Sequence, residues 1–248
     1  MKIGASTLAG LKDELENSLR FIEGLGIEYA ELLHQFPTEK IDTDLLDSYA
    51  LKYSIHAPFM DINIASLQTK SRIASLEQIK DSIDLAGRID AEAVVVHPGS
   101  ISFLARNFKD EVYRIANESI KEIGEYGQDL GVMVTFENMP AFDTMIYSDI
   151  YDLNELLTSL DMSMTMDIGH ANHAGFAADE IYFDCIKHIH IHDNNGDDDS
   201  HLSLGEGSIE LKDIVSNFEK KNYKGIYTIE VNNFDSIKKS YDYLKENF

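Results

Sequence analysis

Short runs of clustered or alternating apolar residues recur along the chain, each followed by a stretch with apolar residues three or four positions apart. The first pattern marks strands and the second marks amphipathic helices. Strands are predicted at Lys2–Ser6 (KIGAS), Ile27–Leu33 (IEYAELL), Lys52–His56 (KYSIH) and Ala93–His97 (AVVVH), then at Val132–Glu137 (VMVTFE), Met162–Asp167 (MSMTMD), His188–His192 (HIHIH) and Ile226–Val231 (IYTIEV). Ala93–His97 reads most clearly as a buried strand, because its apolar run is continuous and β-branched. Helices are predicted near Leu11–Gly24, Asp42–Leu51, Thr69–Ile89 and Asp110–Tyr126, where Gly127 marks the C-terminal region. Four more follow near Asp149–Leu160, Ala177–Ile186, Leu211–Lys221 and Ser236–Glu246.

Eight strands alternating with eight helices imply parallel pairing through right-handed crossovers. At 248 residues this pattern closes more naturally into a (β/α)8 barrel than into an open sheet, and residues 1–248 are expected to form one α/β domain. No GxGxxG follows the first strand and no GxxxxGK[ST] occurs, so the glycine-rich nucleotide cradles are absent.

Composition narrows the partners. Forty-four acidic and 21 basic side chains give a formal net charge of −23, a field that repels phosphate backbones. No run approaches the ~18 apolar residues of a membrane span, and the N-terminus lacks a signal-peptide core, so a cytoplasmic protein without a membrane partner is expected. The lone Cys185 has no disulfide partner within the chain and reads as a buried structural thiol in a helical stretch. Nothing in the pattern sets an oligomeric state.

Candidate chemistry lies at the strand ends. His56, His97, Glu137 and Asp167 each close a predicted strand, and His170 follows Asp167 by three residues. His190 lies in the seventh strand, Asp199 and His201 in the loop after it, and Glu230 in the eighth. Imidazoles and carboxylates are the ligand types for zinc and other borderline divalent ions. Every strand of a parallel barrel ends at the same mouth, so these residues converge there. A single strand-end histidine is more often a hydrogen-bonded core or rim residue; six consecutive strands ending this way favour metal binding. His188, His190 and His192 alternate and share one strand face, leaving His190 and His192 both open as ligands. His34 reads as a rim residue, His173 as a loop residue, and Asp197 and Asp198 as a solvated turn.

The stretches SIHAPF, VHPGS, FENMP, MDIGHANHAG, HIHIHDN, DSHLSLGEG and TIEVN resemble the endonuclease IV family, within the wider xylose-isomerase-like barrels. The resemblance implies a centre of three zinc ions held by His56, His97, Glu137, Asp167, His170, His190, Asp199, His201 and Glu230. Glu137 would bridge two ions and orient the nucleophile as the catalytic residue; Asp199 and His201 would hold the third ion. Asp193 would fix a histidine tautomer from behind, with His192 in the same supporting role or as substitute for His190. Phe59 matches an aromatic residue that inserts into DNA.

The activity so implied is hydrolysis of a phosphoester, such as that at an abasic site in damaged DNA. The alternative is a sugar isomerase or epimerase of the same barrels, which needs only Glu137, Asp167, a strand-seven histidine and Glu230, and would hold about one ion, manganese or magnesium. A non-catalytic metal-binding barrel is the third reading. Two departures count against DNA. The chain has only five arginines, and residues 34–40 (HQFPTEK) lack the family's DNA-probing arginine. Against the epimerase alternative, no arginine follows Arg114, so the one that such epimerases often supply after strand seven is missing.

Overall fold

In the computed structural model, which describes Met1–Phe248, eight parallel strands close into a barrel in chain order, with β8 pairing back onto β1. The strands are β1 (Lys2–Ser6), β2 (Tyr29–Leu33), β3 (Lys52–His56), β4 (Val94–Val96), β5 (Val134–Glu137), β6 (Ser163–Asp167), β7 (Ile186–Ile191) and β8 (Ile226–Ile229). The helices are α1 (Leu15–Gly24), α2 (Thr43–Leu46), α3 (Thr69–Ile89), α4 (Lys109–Leu130), α5 (Ile150–Ser159), α6 (Ile168–His173), α7 (Leu211–Lys220) and α8 (Phe234–Asn247). This is the (β/α)8 architecture that the alternating pattern predicts.

Strands β1 and β3 and helix α3 fall on their predicted bounds, while β4, β5 and β8 are shorter because their ends peel away into loops. Helix α4 runs past Gly127 to Leu130 and ends at Gly131, which adopts the left-handed conformation (φ 69°). Gly127 has a different purpose. A Cβ there would lie 3.0 Å from the Val132 carbonyl oxygen and clash with Val134, so its bareness lets α4 lie against β5.

The predicted helix at Ala177–Ile186 does not form. The sixth crossover helix is α6, which starts directly off β6 because the Asp167 carboxylate accepts the His170 backbone N–H at 2.6 Å. Gly175 (φ 86°) lies just beyond its end, and the following residues run as turns. Cys185 is therefore half-buried in a connection, not in a helix, and its thiol donates to Asn154 Oδ1 at 3.3 Å.

Outward-facing strand residues such as Ile55, Phe136, Ile189 and Tyr227 are fully buried beneath the helices. The barrel interior is different. Barrel interiors are ordinarily filled with branched apolar side chains. Here alternation brings Ser54, Thr135, Thr165, His188 and Thr228 into one layer and His56, Glu137, Asp167, His190 and Glu230 into the layer above, all of them buried. Thr135 and Thr165 share a 2.7 Å hydroxyl hydrogen bond, and Thr228 Oγ1 lies 3.0 Å from His188 Nε2. No helix is long and apolar enough to cross a membrane.

Candidate metal centre

The upper polar layer opens at the C-terminal mouth and resolves into three ligand groups. The first two share Glu137, with His56, His190 and Glu230 forming a further cluster across them, whereas the third shares no residue with either. In the first, His56 Nε2 and His97 Nε2 lie 3.5 and 3.1 Å from Glu137 Oε2. In the second, His190 Nδ1 lies 3.0 Å from Glu137 Oε1, 3.2 Å from Glu230 Oε2 and 3.9 Å from Asp167 Oδ2. In the third, His170, His192 and His201 surround Asp199. Within each group the candidate ligand atoms lie within 4.8 Å of one another. Glu137 spans the first two groups, as a bridging carboxylate must.

The third group is informative because its tautomers can be assigned. His170 Nδ1 faces the Asn138 carbonyl at 2.8 Å and His201 Nδ1 faces the Glu230 carbonyl at 2.8 Å. His192 Nδ1 faces the Asp193 carbonyl at 3.4 Å. A carbonyl oxygen only accepts, so each Nδ1 carries the hydrogen. In a neutral ring Nε2 is then a lone pair. All three Nε2 atoms face carboxylates: His170 and His201 lie 3.2 and 3.3 Å from Asp199, and His192 lies between Asp167 Oδ1 at 3.2 Å and Asp199 Oδ1 at 3.5 Å. Lone pairs facing a carboxylate repel unless protons or a cation lie between them.

The electrostatics tell the same story. Burial opposes ionisation of Glu137, but the facing His190 and His97 rings hold it well below the usual carboxylate range. Burial also opposes charge on Glu230, which His190 nonetheless brings down to about 2. His170 is pushed up to about 10 and His201 to about 9, since Asp167, Asp199 and Glu230 outweigh the cost of burying the charged rings. His97 moves down instead, because burial prevails there. Several buried polar atoms have no hydrogen-bond partner, among them Glu137 Oε2, Asp167 Oδ2, His192 Nε2 and Asp199 Oδ1. Buried polar atoms seldom go unpartnered. A carboxylate-rich second group and an imidazole-rich third group of this kind fit divalent cations.

Around the groups, a cavity of about 270 Å³ is walled on one side by Leu8, Phe59, Met139, Phe142 and Met145. Phe59 stacks on His97 (centroids 4.9 Å apart) and meets His56 edge-on at 5.2 Å. No lysine or arginine lines this cavity.

All nine expected ligands thus meet at the mouth, and His192 joins them, in the third group beside His201 (rings stacked at 4.0 Å) and not in place of His190. The carboxylate of Asp193 reaches no histidine. It accepts the backbone N–H groups of Asn194, Gly205 and Ile209 at 3.0, 2.9 and 3.2 Å, fastening the loop that carries Asp199 and His201. His34 bonds Ser82 Oγ at 2.8 Å away from the ligand groups. His173 accepts from the Ala141 N–H at 3.2 Å. Asp197 and Asp198 are exposed.

Two buried residues escape the sequence reading. Asn138 donates to the Asp167 carbonyl at 3.0 Å and accepts the Asp167 N–H at 2.8 Å, tying β5 to β6 at the site. Glu31 of β2 lies beneath His190, its Oε1 2.9 Å from His190 Nε2. A lone acid inside the otherwise apolar strand YAELL was the available signal.

Fold and site together define a (β/α)8 barrel with a polar mouth of residue clusters that could hold metal. The chain matches the family model described as xylose isomerase-like TIM barrel over residues 19–247 and belongs to that family, whose wider superfamily binds divalent metals. It is 35% identical to an uncharacterized protein of Methanocaldococcus jannaschii, over 99% of this chain and 89% of that one. A solved structure of a D-tagatose 3-epimerase-like protein superposes with a TM-score of 0.92 at 33% identity, covering 100% of this chain and 97% of that one. More distant are a fructoselysine 3-epimerase of Shigella flexneri (21% identical; 93% of this chain, 90% of that one) and a probable endonuclease 4 of Mycobacterium leprae (28%; 73% of each).

Proposed function

We propose that the protein is a divalent-metal-dependent isomerase or epimerase of a small uncharged sugar. The observation that carries this reading is the cavity lining: carboxylates and imidazoles face an apolar wall, with no lysine or arginine to help a metal ion hold a phosphate. The cavity volume of about 270 Å³ suits one sugar unit, and the net charge of −23 disfavours duplex DNA. The likeness to the epimerase-like structure extends over the whole chain, whereas the likeness to endonuclease 4 extends over 73% of it. These facts favour the sugar reading over phosphoester hydrolysis, the first expectation from sequence.

Glu137, Asp167, His190 and Glu230 would hold the ion that this chemistry requires. When bound, such an ion polarises sugar oxygens and offsets the negative charge that develops when a C–H beside a carbonyl loses its proton. Glu137 and Glu230 arrive from β5 and β8, on either side of β7, and both lie within 3.2 Å of His190 Nδ1. Two carboxylates so placed serve to take a proton from one face of a carbon and return one on the other. The apolar wall of Phe59, Met139 and Met145 would exclude water and receive the C–H face of the sugar.

Phosphoester hydrolysis keeps one specific argument. An isomerase needs one ligand group, and this mouth has several: overlapping groups around Glu137 and His190 and a separate one around Asp199. Against it, His192 gives the third group four protein donors, and four-donor zinc sites are characteristically closed ones.

The test uses the metal-loaded protein in deuterium oxide with a panel of unphosphorylated ketoses and aldoses. Isomerised sugar carrying deuterium at one carbon is expected. Glu137→Gln should lower the rate by at least about 100-fold while the circular dichroism spectrum stays unchanged. No exchange into any sugar, together with cleavage of an abasic-site oligonucleotide, would instead favour the hydrolase.

A further inference from the structure

Beneath the metal-ligating layer lies a buried acid to which neither the reaction nor the family resemblance assigns a role. Glu31 is 1% exposed and sits in the barrel interior opposite Ser54 in the β2–β3 register. No lysine or arginine forms an ion pair with it; its charge faces imidazoles alone, His188 Nε2 at 2.8 Å from Oε2 and His190 Nε2 at 2.9 Å from Oε1. Ser54 Oγ donates to Oε2 at 3.0 Å, and Thr228 Oγ1 lies 3.0 Å on from His188 Nε2. An isolated carboxylate in such a place is costly to bury and persists only where its partners answer it.

The geometry of His190 indicates what Glu31 does. The two ring nitrogens face opposite ways: Nε2 down to Glu31, Nδ1 up to Glu137 at 3.0 Å and Glu230 at 3.2 Å. A neutral imidazole has one hydrogen and one lone pair to divide between them. We infer that Glu31 is a positioning residue for the metal centre: it takes the Nε2 hydrogen of His190, so that the Nδ1 lone pair is the one presented to an ion held by Glu137, Asp167 and Glu230. A carboxylate behind a ligating histidine fixes both its tautomer and its ring plane. His188 and Ser54, bound to the other oxygen, keep the carboxylate from rotating out of line. The trio Glu31, His188 and His190 is compact enough to hold an ion itself, but Glu31 Oε1 and His190 Nε2, 2.9 Å apart, meet no other hydrogen-bond partner, so each is the only polar group that can answer the other.

This inference rests on the proposal that the upper layer binds metal, and the experiment separates the two. Manganese affinity is measured on the full chain by electron paramagnetic resonance for wild type, Glu31→Gln, Glu31→Asp and Ser54→Ala. In parallel, 15N-histidine spectra of the magnesium-loaded protein report which nitrogen of His190 carries hydrogen. Glu31→Gln should weaken manganese binding by about 10- to 100-fold and mix the His190 tautomers, with circular dichroism unchanged. Glu31→Asp and Ser54→Ala should each lie between it and wild type. They also decide the matter if Glu31→Gln fails to fold. Wild-type affinity and an unchanged tautomer in the folded variants would overturn the role of Glu31 alone. A wild-type protein that takes up no divalent ion would overturn the metal reading beneath it.

Discussion

At the scale of single residues, the site is a competition between protons and cations. His170 and His201 are raised to about 10 and about 9, so the metal-free protein carries both as imidazolium at neutral pH. A divalent ion needs their lone pairs and must displace those protons. Titration calorimetry at pH 7 in buffers of differing ionisation enthalpy should therefore show about two protons released as the His170–Asp199–His201 group fills. The stability of the metal-free fold has the matching sign. A raised histidine pKa adds stability that is complete below the ordinary value of about 6.5 and disappears as pH climbs through the folded value. The metal-free melting temperature should fall between about pH 7 and pH 10 through these two groups, and saturating metal should flatten that slope; a flat profile without metal would contradict the assignment. The candidate ligands His56, His97, Glu137, Asp167 and Glu230 were readable because each sits where a period-two strand meets its loop, and the others by their spacing from these strands. Glu31 was not, because its partners come from β3 and β7, far along the chain, and no local spacing joins them.

At the scale of elements, loop anchoring decides whether the ligands stay converged. Asp193 spends its carboxylate on three backbone N–H groups across residues 194–209. Asp193→Ala leaves those donors unanswered, at about 3 kcal/mol, a melting-temperature fall of roughly 6–12 °C in a protein of this size. Binding at the Asp199–His201 group should weaken more than binding at the Glu137–Glu230 group, since only the former rides on the loop. Equal weakening of both would count against this anchoring role. Sequence periodicity located all eight strands and seven of the helices, with loose ends. It missed α6 because the Asp167 cap is a side-chain event that apolar spacing does not record, and it put a helix at 177–186 because Ile181, Tyr182 and Phe183 supply apolar residues without helical geometry. The role of Asp193 was misread for a similar reason: its motif position suggests a histidine, whereas the fold turns the carboxylate toward backbone donors.

Taken whole, the molecule is a strongly anionic shell around a cation-hungry mouth. Forty-four acids against 21 bases give −23, and exposed pairs such as Lys80–Glu122 and Arg114–Glu118 engage part of the basic complement. Self-repulsion at that charge destabilises the compact state and is screened over about 10 Å at 0.1 M salt. Raising sodium chloride from about 0.01 to 0.5 M should raise the melting temperature, and duplex DNA should not compete for the protein at about 0.15 M salt in an anisotropy assay. A melting temperature that falls with salt would mean that attractive pairs outweigh the net repulsion. The barrel class was legible from alternation alone. The choice between sugar and phosphoester was not, because it depends on what the cavity wall lacks.

Glu230 directly follows the barrel's last strand, and its two ends have separate partners: the carboxylate meets His190 Nδ1 at 3.2 Å while the backbone carbonyl accepts from His201 Nδ1 at 2.8 Å. If both groups hold ions as proposed, one residue couples the two sites mechanically. Filling either draws on the same short piece of chain, so the two occupancies are expected to be cooperative, and a binding isotherm for the whole mouth should depart from that of independent sites.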